Sequence, residues 1–151
     1  MVRAVHAGHH KRVVMVCGAQ MGKTDGLLDI MGARLDQRPA PILYVGPILK
    51  SSPAALALVD EYDEMLANVK GQGDPLGLVE ARGETYADFV TAITSTPSRG
   101  LIETQLDERS GLTFWKSGDP EAVESAIWKL WQSGTRHHFC WPCLHCETYF
   151  V

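Results

Sequence analysis

The chain has 151 residues, 45% of them hydrophobic and 21% charged, which fits one compact domain with its own core and leaves too little for a second. Acidic side chains outnumber basic ones by 18 to 14, a formal charge of −4, which argues against a broad basic face for duplex DNA. No apolar run approaches the roughly 18 residues that span a bilayer, and the N-terminus lacks the apolar stretch of a signal peptide. We therefore expect a cytosolic protein.

The first predicted elements are a strand, a loop and a helix in direct succession. Residues 13–16 form a short apolar run typical of a buried parallel strand. From Thr24 onward, apolar residues recur near helical spacing until Pro39 ends the helix. The loop between strand and helix is Cys17-Gly18-Ala19-Gln20-Met21-Gly22-Lys23-Thr24.

This loop fits the pattern of a phosphate-binding loop, G-x-x-x-x-G-K-[ST]. Backbone N–H groups and a helix N-terminus converge there on one point that suits an anion. In this pattern Gly22 permits close approach of the backbone, Lys23 reaches the β and γ phosphates, and the Thr24 hydroxyl ligates Mg²⁺. Cys17 takes the place of the first glycine, with a glycine directly after it. The alternative is a glycine turn that carries a surface lysine.

Later strands alternate with helices, which favours an α/β sheet. We expect strands at residues 41–47, 55–59, 89–93, 113–116 and 138–141, and helices at residues 76–85 and 120–131. Four tryptophans fall in the last third of the chain, and packing against the sheet is the interpretation that we favour for them. They are Trp115, Trp128, Trp131 and Trp141.

Two carboxylates end the predicted strand at residues 55–59. Asp60 would hold Mg²⁺ and Glu61 would polarise the attacking water as a general base, the roles that a phosphoryl-transfer site needs on the strand beside its phosphate loop. Asp63 and Glu64 are interpreted instead as charges at the start of the next helix, whose dipole favours anions. For the whole acidic run, a solvated helix entry is the alternative.

Hydroxyl groups gather after the predicted strand at residues 89–93, in the order Thr94, Ser95, Thr96 and then Pro97. Ligand sites of α/β sheets form at such strand ends. A hydroxyl there could contact the γ-phosphate or its water and report hydrolysis to a moving element. An ordinary Ser/Thr turn closed by proline is the alternative.

In this order, the motifs resemble the large terminase subunits of tailed phages, of the gpA type. The matching stretches are residues 17–25, 58–65, 73–75, 80–82, 94–97, 127–130 and 141–146. The resemblance implies an ASCE-type P-loop ATPase sheet with flanking helices, which uses ATP and Mg²⁺ to drive DNA into the capsid. It assigns phosphate and Mg²⁺ binding to Lys23 and Thr24, metal binding and water activation to Asp60 and Glu61, and coupling to residues 94–97. Some family members carry an arginine where this chain has Gln20.

The resemblance also implies partners and domain limits. The expected partners are double-stranded viral DNA, the small terminase subunit, the capsid portal and further copies of the chain in a homo-oligomeric motor, in the host cytoplasm and away from any membrane. Because family members have a longer stretch between residues 47 and 55 and a nuclease after the ATPase, we expect an incomplete ATPase domain at residues 1–136 without nuclease. Residues 137–151 are predicted to begin an irregular, zinc-ribbon-like segment.

Cys143 and Cys146 have the C-x-x-C spacing of a zinc knuckle. Other candidate ligands nearby are Cys140, His137, His138 and His145. Because a structural zinc takes four protein ligands, we favour a free thiol pair over a bound zinc.

Two functional hypotheses remain open. The first is an ATP-hydrolysing packaging motor, favoured by the intact set of Lys23, Thr24, Asp60 and Glu61. The second is a non-catalytic remnant or interaction module that keeps the P-loop core, favoured by the shortened crossover. A small P-loop kinase would need a lid and a substrate-binding site that the sequence does not reveal.

Overall fold

The computed structural model describes residues 1–45, 53–65 and 73–150. Its centre is a parallel sheet of four strands, β1 (Arg12–Val16), β2 (Ile42–Val45), β3 (Leu56–Val59) and β4 (Val90–Ser95). Their spatial order is β1-β4-β3-β2. The predicted α/β class is therefore confirmed, as is a strand at each of these four positions.

Strand β4 occupies the middle of the sheet and pairs with β1 on one side and β3 on the other. Met15 lies opposite Thr94, and Leu58 lies opposite Ala92. Every residue of β3 and β4 is buried, as expected for parallel strands covered on both faces. The prediction that the acidic strand lies beside the phosphate-loop strand is wrong, because β4 is inserted between them.

Two apolar clusters cover the two faces of the sheet. Helices α1 (Val2–His6) and α2 (Lys23–Gln37) contribute Val5, Leu27 and Ile30 to one cluster, which includes Leu56 and Leu58 of β3. The other cluster takes the alternate β3 residues together with side chains from α3 (Pro75–Glu80) and α4 (Ala126–Gln132). This alternation follows from the two-residue period of a strand.

Two predicted helices are shorter than expected. The helix predicted over residues 76–85 ends at Glu80 and gives way to turns, in which the Phe89 ring covers Gly83 so closely that an added Cβ would lie 2.1 Å from it. The helix predicted over residues 120–131 is split into a 3-10 turn, Pro120–Ala122, and α4. The break occurs because Ser125 has an extended backbone (ψ 125°) and caps α4.

The last third of the chain adds two antiparallel hairpins, β5 (Thr104–Leu106) with β6 (Thr113–Trp115), and β7 (Trp141–Pro142) with β8 (Tyr149–Phe150). Trp128 stacks on Trp131 with ring centroids 4.5 Å apart, and Trp115 meets both rings edge-on. Trp141 does not join them: the residue is 51% exposed, and its ring contacts Phe139 instead.

The predicted shortening between residues 47 and 55 falls largely outside the described residues. Nevertheless, β2 pairs in parallel with β3, with Ile42 opposite Leu56. Within the described ranges, no helix has both the length and the apolar character needed to cross a membrane.

Candidate functional site

The candidate phosphate loop joins β1 to α2 at the carboxyl edge of the sheet. The Cys17 N–H donates to the Ser95 carbonyl at 3.2 Å, which fixes the start of the loop on β4. Gln20 and Gly22 have left-handed φ angles of 57° and 71°, the second of which suits a glycine. Because residues 18–22 are exposed, a ligand can reach the loop and the N-terminus of α2.

Lys23 is the buried cation of this edge, with a side chain only 7% exposed. Its Nζ donates to Thr96 Oγ1 at 2.9 Å and lies 3.4 Å from Glu61 Oε1. The lysine therefore brings together the loop, the acidic segment and the hydroxyl run, three stretches that the sequence singled out separately.

Thr24 and Asp60 form the second link across the edge. The Thr24 hydroxyl donates to Asp60 Oδ2 at 2.7 Å, and the Tyr44 hydroxyl donates to the same oxygen at 3.0 Å. Burial, with the nearby Asp60 carboxylate, raises the pKa of Tyr44 to about 12, so the phenol keeps its proton. A hydroxyl and a carboxylate held together are hard oxygen ligands of the kind that Mg²⁺ prefers, and these residues fit the implied metal.

Glu61 stands in an unusual backbone conformation for a residue with a side chain. Its φ of 51° and ψ of 46° are left-handed, which costs on the order of 1–3 kcal/mol for a non-glycine residue. The same geometry lets the Glu61 N–H donate to Asp60 Oδ1 at 3.0 Å while the carboxylate, 51% exposed, faces Lys23. The left-handed backbone of Glu61 therefore places its carboxylate beside Lys23, next to the phosphate loop.

The four residues of the predicted coupling run have different surroundings. Thr94 and Ser95 still belong to β4, and the buried Thr94 hydroxyl has no hydrogen-bond partner among the described residues. The Ser95 hydroxyl donates to the Thr96 carbonyl at 3.2 Å. Thr96 is thus the hydroxyl that reaches Lys23, and Pro97 is partly buried behind it.

Asp63 lies in the first turn of the 3-10 helix Tyr62–Glu64, at the start of a helical turn as expected, but the alternative of a solvated helix entry is wrong for this residue because it is buried. Its side chain is 3% exposed and accepts four hydrogen bonds, from the N–H and hydroxyl of Ser98 and from the Ser125 hydroxyl and Ile127 N–H. Burial alone would raise the pKa of this carboxyl, but these hydrogen bonds outweigh it and hold the pKa below its ordinary value. Glu64 is exposed, as expected.

The predicted zinc ligands lie apart from this edge. Cys143 and Cys146 sit in the turn of the β7–β8 hairpin, where hydrogen bonds from Thr148 and from the Cys143 thiol lower the pKa of Cys146. His138 instead packs against Phe114 and the Trp115 and Trp131 rings. Across residues 1–45, 53–65 and 73–150, no three His, Cys, Asp or Glu side chains gather as metal ligands.

Three residues of the network escape sequence reasoning. Tyr44 lies inside an apolar strand with no motif around it, and Ser98 lies just beyond Pro97, the residue that ends the hydroxyl run. Ser125 had a usable signal, since a serine directly before the apolar stretch 126–128 is a typical helix cap.

A parallel α/β sheet with an exposed loop, a helix N-terminus, a buried lysine and carboxylates at one edge is consistent with an ATPase domain. The family model described as phage terminase large subunit gpA, ATPase domain, matches residues 47–151, and the chain belongs to this family. The matched part contains the acidic segment, the hydroxyl run, α4 and the cysteine hairpin, whereas the loop at residues 17–24 precedes it. No curated protein and no solved structure matches the chain.

Proposed function

We propose that the chain binds Mg²⁺-ATP at residues 17–24 and hydrolyses it. The observation that carries this proposal is the convergence on Lys23, whose Nζ lies 2.9 Å from Thr96 Oγ1 and 3.4 Å from Glu61 Oε1. Phosphoryl transfer uses a lysine that binds phosphate and a carboxylate that activates the attacking water. It also uses a hydroxyl group that contacts the phosphate.

Each residue has a defined task in this mechanism. Lys23 exchanges its contact with Glu61 for the β and γ phosphates, and the freed Glu61 carboxylate accepts a proton from the attacking water. Thr24 and Asp60 would be the residues that hold Mg²⁺, which would neutralise charge on the phosphates. The strand order β1-β4-β3-β2, with Glu61 just after β3, supports an ASCE-type P-loop assignment.

Family membership supports the larger role of driving viral DNA into the capsid. In that role the chain acts in the host cytoplasm within a homo-oligomeric motor, beside the small terminase subunit and the capsid portal. With a formal charge of −4, the chain lacks the excess of basic residues that a broad DNA-binding surface needs, so its contact with double-stranded DNA is local.

Titration calorimetry with Mg²⁺-ATP, combined with phosphate release in the presence and absence of DNA, tests the proposal. Lys23→Ala should abolish binding, because the remaining loop lacks the cation that faces the phosphates. Lys129→Ala is the matched control, since its ammonium pairs with Glu121 at the surface. Equal affinity in the parent and in Lys23→Ala would refute the site.

A non-hydrolysing interaction module is the second candidate. Cys17 stands where the loop pattern expects glycine, and residues 17–24 precede the matched range 47–151. Nucleotide binding without phosphate release would favour this candidate over the motor.

A further inference from the structure

The Asp63 carboxylate lies at a junction of three segments. It belongs to the 3-10 turn Tyr62–Glu64, two residues after Glu61. On one side, Oδ2 accepts hydrogen bonds from the Ser98 N–H at 2.7 Å and the Ser98 hydroxyl at 3.0 Å. On the other, Oδ1 accepts from the Ser125 hydroxyl and the Ile127 N–H, both at 2.9 Å. Each oxygen thus binds a different part of the chain.

The Ser98 side of this junction is close to the phosphate loop. The Asp63 N–H donates to Ser95 Oγ at 3.0 Å, so the turn grips both ends of the run from Ser95 to Ser98. Within that run Thr96 contacts Lys23. A ligand that draws Lys23 away from Thr96 and Glu61 therefore pulls on two segments that Asp63 holds.

The other side of the junction is the start of α4. Ser125 caps this helix by accepting from the Trp128 N–H at 3.2 Å while it donates to Asp63. Ile127 is fully buried against the sheet, and the next residue, Trp128, stacks on Trp131 one helical turn further along α4. Without Asp63, the N–H of Ile127 would lie buried and unpaired, so the carboxylate holds the entry of α4 in place.

We infer that Asp63 is a positioning residue that fastens residues 95–98 to α4, so that occupancy of the phosphate loop is transmitted to α4 and its tryptophan stack. The transmission rests on the proposed function, since it requires a nucleotide at residues 17–24. The fastening itself is a property of the free protein and can be measured without any ligand.

Hydrogen exchange of the free protein tests the fastening. Ser98→Ala removes one donor to Asp63 from an exposed position outside α4, and Asp63→Asn replaces an acceptor oxygen with an amide that faces two donors. Both variants should speed exchange in the first turn of α4, by about tenfold for Asp63→Asn, because local opening becomes easier. Asp119→Asn is the matched control, since Asp119 caps the exposed 3-10 turn Pro120–Ala122. Parental exchange in α4 for Ser98→Ala would overturn the inference, even where Asp63→Asn fails to fold.

Tryptophan fluorescence with Mg²⁺ and a slowly hydrolysed ATP analogue tests the transmission. The parent should show a change from the stack, and Ser98→Ala should bind with affinity within about twofold of the parent yet lose most of that change. A full change in Ser98→Ala would overturn transmission. If the parent binds no nucleotide, the proposed function fails instead, and the exchange experiment still decides the fastening.

Discussion

At the residue scale, Glu61 and Lys23 form an ion pair in the protein without ligand. The lysine is 7% exposed and the glutamate 51% exposed, so the ion pair lies at the border between protein and water. A partly exposed pair of this kind contributes little to stability. Its importance is positional, because it keeps a general-base candidate within reach of the phosphate loop.

Glu61→Gln should preserve Mg²⁺-ATP binding and slow phosphate release by roughly 10²–10⁴-fold, because an amide cannot accept the proton of the attacking water. Glu64→Gln is the control, since Glu64 is exposed on the same short turn. Calorimetry and steady-state phosphate release measure the two effects separately. Release as fast as in the parent would show that Glu61 is not the base.

Asp63 predicts a pH dependence with a definite sign. Its folded-state pKa is lowered, so the stability that it contributes is present above the pKa of the unfolded chain and is lost as pH falls through the folded pKa. The free energy of unfolding, measured with urea near neutral pH and again below the ordinary aspartate pKa of 3.8, should therefore fall less in Asp63→Asn than in the parent. Asp119→Asn should keep the parental slope, and equal slopes for all three proteins would contradict the assignment.

At the element scale, local patterns predict well what depends on local chemistry. The apolar runs identify β1 to β4, and the spacing after Thr24 together with Pro39 identifies α2. Strand order does not follow from such patterns, since it depends on pairing between distant segments. For the same reason the sequence does not predict the burial of Asp63, because its partners Ser98 and Ser125 lie 35 and 62 residues further along the chain.

Replacement by alanine should change the free energy of unfolding in opposite directions at two glycines, Gly32 and Gly83. Gly32 lies inside α2, and an added Cβ meets nothing within 4 Å, so Gly32→Ala should raise the free energy of unfolding by about 0.5–1 kcal/mol. A Cβ on Gly83 would lie 2.1 Å from the Phe89 ring, and Gly83→Ala should cost about 1–3 kcal/mol. Urea unfolding measures both values. Destabilisation by Gly32→Ala would contradict the open space around α2.

At the scale of the whole molecule, we expect the purified chain to leave DNA intact. Its formal charge is −4, which disfavours tight binding to duplex DNA, and the acids after residue 97 are spread over separate segments of the sequence, whereas metal-dependent cleavage needs a carboxylate cluster. Linear plasmid incubated with protein, ATP and Mg²⁺ or Mn²⁺ should keep its length. Fragments that disappear on mutating an acid such as Asp107 would reveal a nuclease centre.

The central position of β4 in the sheet also determines when the sheet can fold during synthesis. Val90–Ser95 emerges from the ribosome long after β1 and β3, yet both of these strands need it as their neighbour. Until β4 is inserted, β1 has no partner strand in the sheet. The phosphate loop then also lacks its hydrogen bond to Ser95. Such distant pairings slow folding, because the intervening chain must be ordered before the contacts form. A nascent chain released before Ser95 would therefore expose unpaired apolar strands, the condition that promotes aggregation and chaperone capture.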